Sequence, residues 1–188
     1  LVEFPDHRVV RVLEDNEALS RNFAALPKTS TEFLQLEIDG GIQMDAWLMK
    51  PPEFDSTKKY PVLVYVYGEP HAQTVLDAWG TAHADYHRAI AELGYLVVSI
   101  DNRGTPCPKG AAWRRAVAGK LGPLSTEEQA AGLQALGNSR HYVDLTRVCI
   151  WGWSGGGSNT LNAMFRKPDV YQVLLMRFAL LYLGRCLG

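Results

Sequence analysis

The feature that most constrains this chain is an apolar run that ends in the pattern Gly-Trp-Ser-Gly-Gly. Ser154 is the serine of this pattern, and a helical pattern covers residues 158–166 soon after it. A serine between a strand and a helix stands above the sheet edge only if the chain turns sharply, which small neighbours such as Gly152 and Gly156 allow. The pattern therefore predicts an exposed nucleophilic serine. A glycine turn with a purely structural role is the alternative.

Other functions of a glycine-rich turn do not fit the residues. A phosphate-binding loop ends in Gly-Lys followed by Ser or Thr, and a dinucleotide-binding turn has Gly-x-Gly-x-x-Gly with an acid on the next strand. Neither pattern occurs between Gly152 and Thr160, so we expect no cofactor. With 19 basic and 20 acidic residues the chain has a net charge of -1, and nucleic acid is therefore not an expected partner.

Candidate metal ligands are present, but they do not form a recognised pattern. His83 and His87 lie four residues apart, a spacing that suits a metal ion on one helix face. No HExxH glutamate and no third ligand accompany them. The three cysteines, Cys107, Cys149 and Cys186, share no zinc-ligand spacing. We therefore expect no metal site.

Apolar runs that are typical of buried parallel strands alternate with helical patterns along the chain. Strand-like runs cover residues 62–67, 95–100 and 148–151, a hairpin pattern covers 33–38 and 42–49, and helical patterns cover 85–93, 109–118, 126–136 and 158–166. Ser125 and Glu128 are expected to form a capping box at the start of the helix over 126–136. Strands that alternate with helices predict an α/β fold with a mostly parallel sheet and helices on both faces.

The order of acidic residues and histidines limits what Ser154 can do within this chain. In the α/β-hydrolase fold, which the strand-serine-helix pattern predicts, the catalytic serine is followed by the acid and then by the histidine. All five histidines precede Ser154, and Asp169 is the only acid after it. We therefore expect an α/β-hydrolase fold truncated after the nucleophile-bearing strand and helix, with the far edge of that strand unpaired. The apolar segment 170–188, which Arg177 and Arg185 interrupt, is interpreted as a strand or helix of a core and not as a membrane span.

Three ordered segments carry a resemblance, and they are residues 59–70, 101–105 and 150–156. They resemble the prolyl oligopeptidase family of serine peptidases, in particular its dipeptidyl peptidase IV branch. The similarity runs from about Val9 to Val173, and the sequence 174–188 is expected to depart from the family. The resemblance implies that residues 1–30 are the end of a β-propeller domain with its linker and that 31–188 are the N-terminal part of an α/β-hydrolase catalytic domain. It also implies a peptide substrate for the full-length protein, cleaved after its second residue, which is often proline or alanine.

The resemblance assigns a role to three residues. Ser154 matches the nucleophile, and the backbone N–H of Gly155 and the hydroxyl of Tyr67 match the two donors that bind the oxyanion. For Tyr67, packing in the core is the alternative. Arg103 either lies near the active site or holds a carboxylate within the scaffold. The resemblance identifies no substrate-binding residue.

Two positions near Ser154 depart from the family pattern. Glu69 stands where the branch usually has a glycine, so a negative charge beside the oxyanion site would oppose the oxyanion. Gly155 stands where the best-known members have a tyrosine, so the aromatic wall of a proline-sized pocket is missing. The residue preference is therefore open.

The expected function is that of a dipeptidyl-peptidase-like serine peptidase that forms an acyl-enzyme through Ser154. Because no histidine follows Ser154 and the triad is incomplete, we expect this chain to be inactive alone. Two alternatives stay open: a non-catalytic chain that self-associates or binds a partner through an exposed sheet edge, and an esterase-like serine hydrolase. The sequence indicates neither a compartment nor an oligomeric state, and it does not decide between exopeptidase and endopeptidase activity.

Overall fold

One six-stranded sheet and five helices organise residues 1–78, 81 and 83–179, which are the residues that this computed structural model describes. The strands are β1 (Val2–Glu3), β2 (Arg8–Val9), β3 (Ser30–Ile38), β4 (Ile42–Lys50), β5 (Tyr60–Tyr65), β6 (Leu96–Ile100), β7 (Val143–Ser154) and β8 (Val173–Ala179). The helices are α1 (Glu17–Ala24), α2 (Ala84–Glu92), α3 (Gly110–Arg115), α4 (Pro123–Ser139) and α5 (Gly155–Arg166). Strands β1 and β2 form a separate two-stranded antiparallel sheet.

The six strands of the main sheet lie in the order β3-β4-β6-β5-β7-β8. The β6–β5, β5–β7 and β7–β8 pairs are parallel, whereas β4 is antiparallel to both β3 and β6. β3 and β4 form the predicted hairpin, with Ile38 opposite Ile42. Gly40 and Gly41 connect them at φ 82° and 72°, a conformation that glycine adopts without steric cost. The predicted α/β fold with a mostly parallel sheet is confirmed.

Both faces of the sheet are buried under helices, as predicted. One face packs on α4 and α5, and its core includes Val64 and Ile150. The other face packs on α2, and its core includes Tyr65 and Trp151. Neighbouring residues of one strand thus enter different cores, because successive side chains of a strand point to opposite faces. This is why the central strands are continuously apolar.

Helix α4 begins three residues before the predicted start, and the expected capping box is wrong. Gly122, at φ 87°, precedes Pro123 in the first turn, where the missing N–H of proline has no cost. The Ser125 oxygen lies 2.9 Å from the carbonyl oxygen of Gly122 and donates its one proton to Asn159 on α5, and Glu128 accepts hydrogen bonds from Arg103. Neither side chain caps the helix.

Strand β8 extends the sheet beyond the strand that carries Ser154. It pairs in parallel with β7, with Cys149 opposite Val173. The expectation of an unpaired far edge on β7 is therefore wrong, because part of the tail forms the neighbouring strand. Residues 180–188 of that tail lie outside the described residues. Among the described residues, no helix is long and apolar enough to cross a membrane.

The N-terminal segment differs from the sheet in burial. None of the residues of α1 is buried, and Phe4 is 87% exposed. This segment therefore contributes no side chain to the two cores. The assignment of residues 1–30 to the end of a β-propeller domain stays a prediction.

Candidate active site

Ser154 lies where β7 ends and α5 begins, as the sequence predicts. Its backbone has φ 55° and ψ -117°, and residues other than glycine rarely adopt such a positive φ. A strained residue of this kind persists only where the surrounding packing fixes it. The strand, the strained serine and the helix together form a sharp turn of the kind that presents the nucleophile in α/β-hydrolases. Residues 152–156 are called the nucleophile turn below, and the role of Ser154 as the nucleophile stays a prediction.

Gly152 and Gly156 allow the turn because carbonyl oxygens occupy the space of their missing side chains. A Cβ at Gly152 would lie 2.7 Å from the carbonyl oxygen of Val66 and closer still to that of Gly156. A Cβ at Gly156 would lie closer than 3.0 Å to the same oxygen of Val66. Since these backbone atoms belong to the residue directly after β5 and to α5, and neither can move aside, only glycine fits at either position.

Tyr67 lies two residues after β5, and the pairing of β5 with β7 fixes how far along the sheet it lies relative to the nucleophile turn. The N–H of Val66 donates to the carbonyl oxygen of Trp151 at 3.0 Å, so β5 and β7 end at the same edge of the sheet. Tyr67 is half-buried, and its hydroxyl forms a hydrogen bond with Nε2 of His71. The structure therefore places Tyr67 at the sheet edge where Ser154 lies. Its role as an oxyanion donor stays a prediction.

One buried amide, that of Asn159, connects three parts of the site. Its nitrogen donates to the carbonyl oxygen of Tyr67 at 2.8 Å and to that of Gly155 at 3.2 Å. Its oxygen accepts a hydrogen bond from the Ser125 hydroxyl on α4. Asn159 is 4% exposed, so these bonds form out of water, where they are stronger. The amide thus joins the end of β5 to the first turns of α4 and α5.

Glu69 lies against the nucleophile turn instead of in solvent. It is 5% exposed, and a Cβ at Gly155 would lie 2.5 and 2.6 Å from its two carboxyl oxygens. The carboxyl group therefore fills the space that a side chain at position 155 would take. Burial raises the pKa of Glu69, and the charge of His71 partly offsets this effect.

Two residues after β6 take part in buried polar contacts, Asp101 with the loop that follows Tyr67 and Arg103 with α4. The Asp101 carboxylate accepts hydrogen bonds from the backbone N–H groups of Thr74, at 3.0 Å, and Val75, at 3.1 Å. Burial raises the pKa of Asp101, whereas these hydrogen bonds lower it.

The backbone N–H of Arg103 donates to the Glu128 carboxylate at 2.8 Å, and the side chain of Arg103 binds the same carboxylate. Of the two interpretations of Arg103, the structure shows the one in which it holds a carboxylate.

No histidine forms a hydrogen bond with Ser154 within the part of the chain that the structure describes. Two histidines contact the tryptophans beside the turn. His83 stacks on Trp153 with ring centroids 5.6 Å apart, and His87 accepts a hydrogen bond from Trp151 at 3.2 Å. Burial lowers the pKa of His87 to about 3, with a smaller contribution from His83, so the ring of His87 is neutral.

The described residues contain no cluster of three or more His, Cys, Asp or Glu that could hold a metal ion.

Sequence reasoning misses the contact of His71 with Tyr67, and for Glu69 it predicts a charge beside the oxyanion site but not the burial of the carboxyl group. His71 has the features of a polar loop residue, and its spacing of four residues from Tyr67 across a Gly-Glu-Pro turn is the one signal that their rings meet. Glu69 stands out as a departure from the family pattern. No local feature indicates that its carboxyl group is buried beside Gly155, because carboxylates are mostly exposed.

Comparison with known sequences relates this chain to one family of peptidases. The sequence model of the family described as "Prolyl oligopeptidase family" matches residues 83–182, which include the nucleophile turn. The match continues to residue 182. The expectation that the sequence departs from the family after Val173 is therefore wrong for residues 174–182.

The chain is also similar to several dipeptidyl peptidases. Dipeptidyl peptidase 8 of Mus musculus is 35% identical over 147 residues, which are 78% of this chain and 16% of that protein. Probable dipeptidyl-aminopeptidase B of Ajellomyces capsulatus is 38% identical over 156 residues, which are 81% of this chain and 16% of that protein. The crystal structure of Porphyromonas gingivalis dipeptidyl peptidase 4 matches with a TM-score of 0.80 and 34% identity over 92% of this chain and 24% of that chain. The chain thus spans 16% of the length of the two relatives.

Proposed function

This chain belongs to the prolyl oligopeptidase family of serine peptidases, and on that basis we propose that it carries the nucleophile and the oxyanion donors of a dipeptidyl-peptidase-like active site. The observation that carries the proposal is the backbone of Ser154, which two glycines hold at φ 55° between a strand and a helix. A strained turn of this kind is typical of sites at which the serine itself reacts.

In the proposed reaction the Ser154 oxygen attacks the carbonyl carbon of a peptide bond, and the carbonyl oxygen becomes negatively charged. The N–H of Gly155 and the hydroxyl of Tyr67 donate hydrogen bonds to this oxyanion. The proton of the Ser154 hydroxyl passes to a base and from there to the leaving amine as the C–N bond breaks. Water then gives its OH to the acyl carbon, and its other proton returns through the base to the Ser154 oxygen. The products are the shortened peptide, which has a new free amino group, and the released N-terminal fragment, which has a new free carboxyl group.

The contact between Tyr67 and His71 supports the role of the tyrosine. If His71 carries its proton on Nε2, it donates to the phenol oxygen and leaves the Tyr67 proton directed at the oxyanion. A donor behind the phenol also polarises its O–H group, because hydrogen bonds in a chain strengthen one another. His71 is therefore a positioning residue for Tyr67 in this proposal.

In this proposal none of the five histidines of the chain accepts the proton of Ser154. None of them forms a hydrogen bond with Ser154 among the described residues, and a serine hydroxyl without a base is a poor nucleophile at neutral pH. Oxyanion binding alone retains a rate of roughly 10³ to 10⁴ over water in enzymes that lack their triad. We therefore expect the chain alone to hydrolyse peptides too slowly for an ordinary assay to detect.

A serine-reactive fluorophosphonate tests the proposal on the full chain. We expect slow, stoichiometric labelling at Ser154, located by peptide mass spectrometry and lost in Ser154→Ala and in urea-unfolded protein. Ser56→Ala is the matched control, because this exposed serine makes no side-chain hydrogen bond in the described chain and its loss should leave labelling unchanged. A Xaa-Pro anilide should give no turnover above the rate in buffer.

Two outcomes would contradict the proposal. A folded chain that is not labelled would favour the non-catalytic alternative. Turnover of the anilide that disappears when one of the five histidines is replaced would show that the chain contains its own base.

A further inference from the structure

In the part of the chain that the structure describes, one carboxyl group beside the proposed nucleophile has no hydrogen-bond or ion-pair partner. Glu69 is almost completely buried, and within the described residues its side chain forms neither a hydrogen bond nor an ion pair. The ionisable group whose charge acts on it, His71, is already bound to the Tyr67 hydroxyl. Burying a carboxylate without a partner is unfavourable, so such a group indicates a ligand that supplies hydrogen-bond donors.

The position of this carboxyl group indicates which part of a substrate can reach it. Its two oxygens lie where the side chain of Gly155 would begin. In the proposed mechanism the N–H of Gly155 holds the carbonyl oxygen that Ser154 attacks. The nearest substrate residue is therefore the one that owns this carbonyl, on the acyl side of the scissile bond.

We propose that Glu69 is a specificity-determining residue whose carboxylate binds a positively charged side chain, an ammonium or a guanidinium, on the substrate residue that precedes the scissile bond. The inference rests on the proposed function, because it takes Ser154 as the nucleophile and Gly155 as an oxyanion donor. An apolar side chain in the same place offers the carboxylate no donor and would leave it unpaired.

Equilibrium binding tests the inference without requiring a reaction. The Ser154→Ala chain is titrated with the N-acetyl amides of lysine and arginine and with that of norleucine, which resembles lysine without the charge. The acetyl group removes the α-ammonium, so any preference comes from the side chain. We expect the cationic amides to bind about tenfold tighter or more, and to shift the carboxyl carbon NMR signal that is lost in Glu69→Gln.

Several outcomes of the titration would overturn the inference. These are equal affinity for lysine and norleucine amides, no binding of either, and a preference for lysine that survives in Glu69→Gln. The last outcome would place the cation at another acidic residue.

Labelling rates separate the inference from the proposed function. Diphenyl phosphonates with lysine and norleucine side chains are compared on the unsubstituted chain and on Glu69→Gln, which keeps the size of the side chain but not its charge. We expect a lysine-to-norleucine rate ratio of about 10 or more that falls to about 1 in Glu69→Gln. The ratio is the readout because a general change in Ser154 reactivity cancels in it.

A plain fluorophosphonate without a side chain is the internal reference. If it labels Ser154 while the lysine-to-norleucine ratio is about 1, the specificity inference fails and the nucleophile stands. If it does not label the folded chain, the proposed function fails, and the titration still decides whether Glu69 binds a cation.

Discussion

The two faces of β7 lead to Ser154 through different kinds of packing. On the α5 face, Gly152 meets backbone oxygens and leaves no room for a further atom. On the α2 face, Trp151 packs against rings, with centroids 5.0 Å from Tyr65 and 5.5 Å from His87. The first face depends on atoms that cannot move aside, whereas the second depends on side chains, one of which can take up a proton. The comparison indicates that the serine is placed by backbone contact on one side and by a pH-sensitive cluster on the other.

The strongest test of the backbone-packed face is Gly152→Ala. The added methyl group meets the carbonyl oxygens of Val66 and Gly156, and neither can move without separating β5 from α5. We expect the free energy of unfolding to fall by about 4 kcal/mol or more, which is enough to unfold a marginally stable chain. Urea unfolding followed by circular dichroism measures the loss.

Gly137→Ala is the matched control for this substitution. There the three atoms nearest to the new Cβ are side-chain carbons of Leu145, at 2.6 to 2.9 Å, and this half-buried side chain can rotate. Alanine also favours a helix over glycine by about 1 kcal/mol, so stability should change by less than that amount. Equal losses at the two positions would show that the packing around Gly152 is not exceptional.

The ring-packed face predicts that acid destabilises the chain. Burial lowers the pKa of His87 to about 3, against about 6.5 in the unfolded chain, so the unfolded chain binds the proton first as the pH falls. The stabilisation is therefore complete above about pH 6.5 and is lost progressively towards pH 3, by up to about 5 kcal/mol. Urea unfolding at a series of pH values measures this dependence.

His87→Gln provides the comparison for the acid effect, because glutamine does not titrate and can still accept a hydrogen bond from Trp151. Carboxylates add to the acid sensitivity of both chains, so the quantity to compare is the slope of stability against pH. We expect a shallower slope below about pH 6.5 in His87→Gln. Parallel slopes would mean that the imidazole of His87 takes up a proton as readily in the folded chain as in the unfolded chain.

A smaller loss is expected from the hydrogen bond on the ring-packed face. Trp151→Phe keeps a ring in place and removes the donor that lies 3.2 Å from the His87 nitrogen. The buried acceptor then has lost this donor, which costs about 1 to 2 kcal/mol in the free energy of unfolding. Tyr86→Phe is the control, since its ring lies 4.8 Å from Trp151 and the residue is 38% exposed, and it should change stability by less than about 0.5 kcal/mol. Equal losses would indicate that ring packing alone holds this face.

The smallest effect is expected at Gly155, which meets the flexible end of a side chain. The methyl group of Gly155→Ala would contact the Glu69 carboxyl atoms, which can shift, so the cost should be about 1 kcal/mol. Glu69→Gly removes the obstacle, and the double variant should show a coupling of about 0.5 to 1 kcal/mol in a double-mutant cycle. If the changes in the free energy of unfolding are strictly additive, the carboxyl group of Glu69 does not lie beside Gly155 when the chain is in solution.

The backbone-packed face could be predicted from the sequence, and the ring-packed face could not. The Gly-x-Ser-x-Gly pattern expresses a steric requirement that only glycine meets, so Gly152 and Gly156 can be placed from it directly. Trp151 and His87 are 64 positions apart, and no local pattern indicates that they meet. The burial of Glu69 is equally hidden, because it depends on how a loop packs on α5.

Tertiary contacts also override a local rule at the start of α4. Ser125 and Glu128 have the spacing of a capping box, which is why the sequence predicts one. Pro123 begins the helix before them, and Arg103 binds the carboxylate that the box would have used. The boundary of this helix is thus decided by the restricted backbone of proline and by a distant cation.

Asn159 has a consequence for how the site responds to motion. Because one amide group binds the carbonyl oxygens of both Tyr67 and Gly155, a displacement of α5 would carry the backbones of these two residues in the same direction. The spacing between the attacking oxygen and its proposed oxyanion donor is then preserved while other distances in the sheet fluctuate. An incoming peptide would therefore meet a nucleophile and an oxyanion donor whose backbones are fastened to each other.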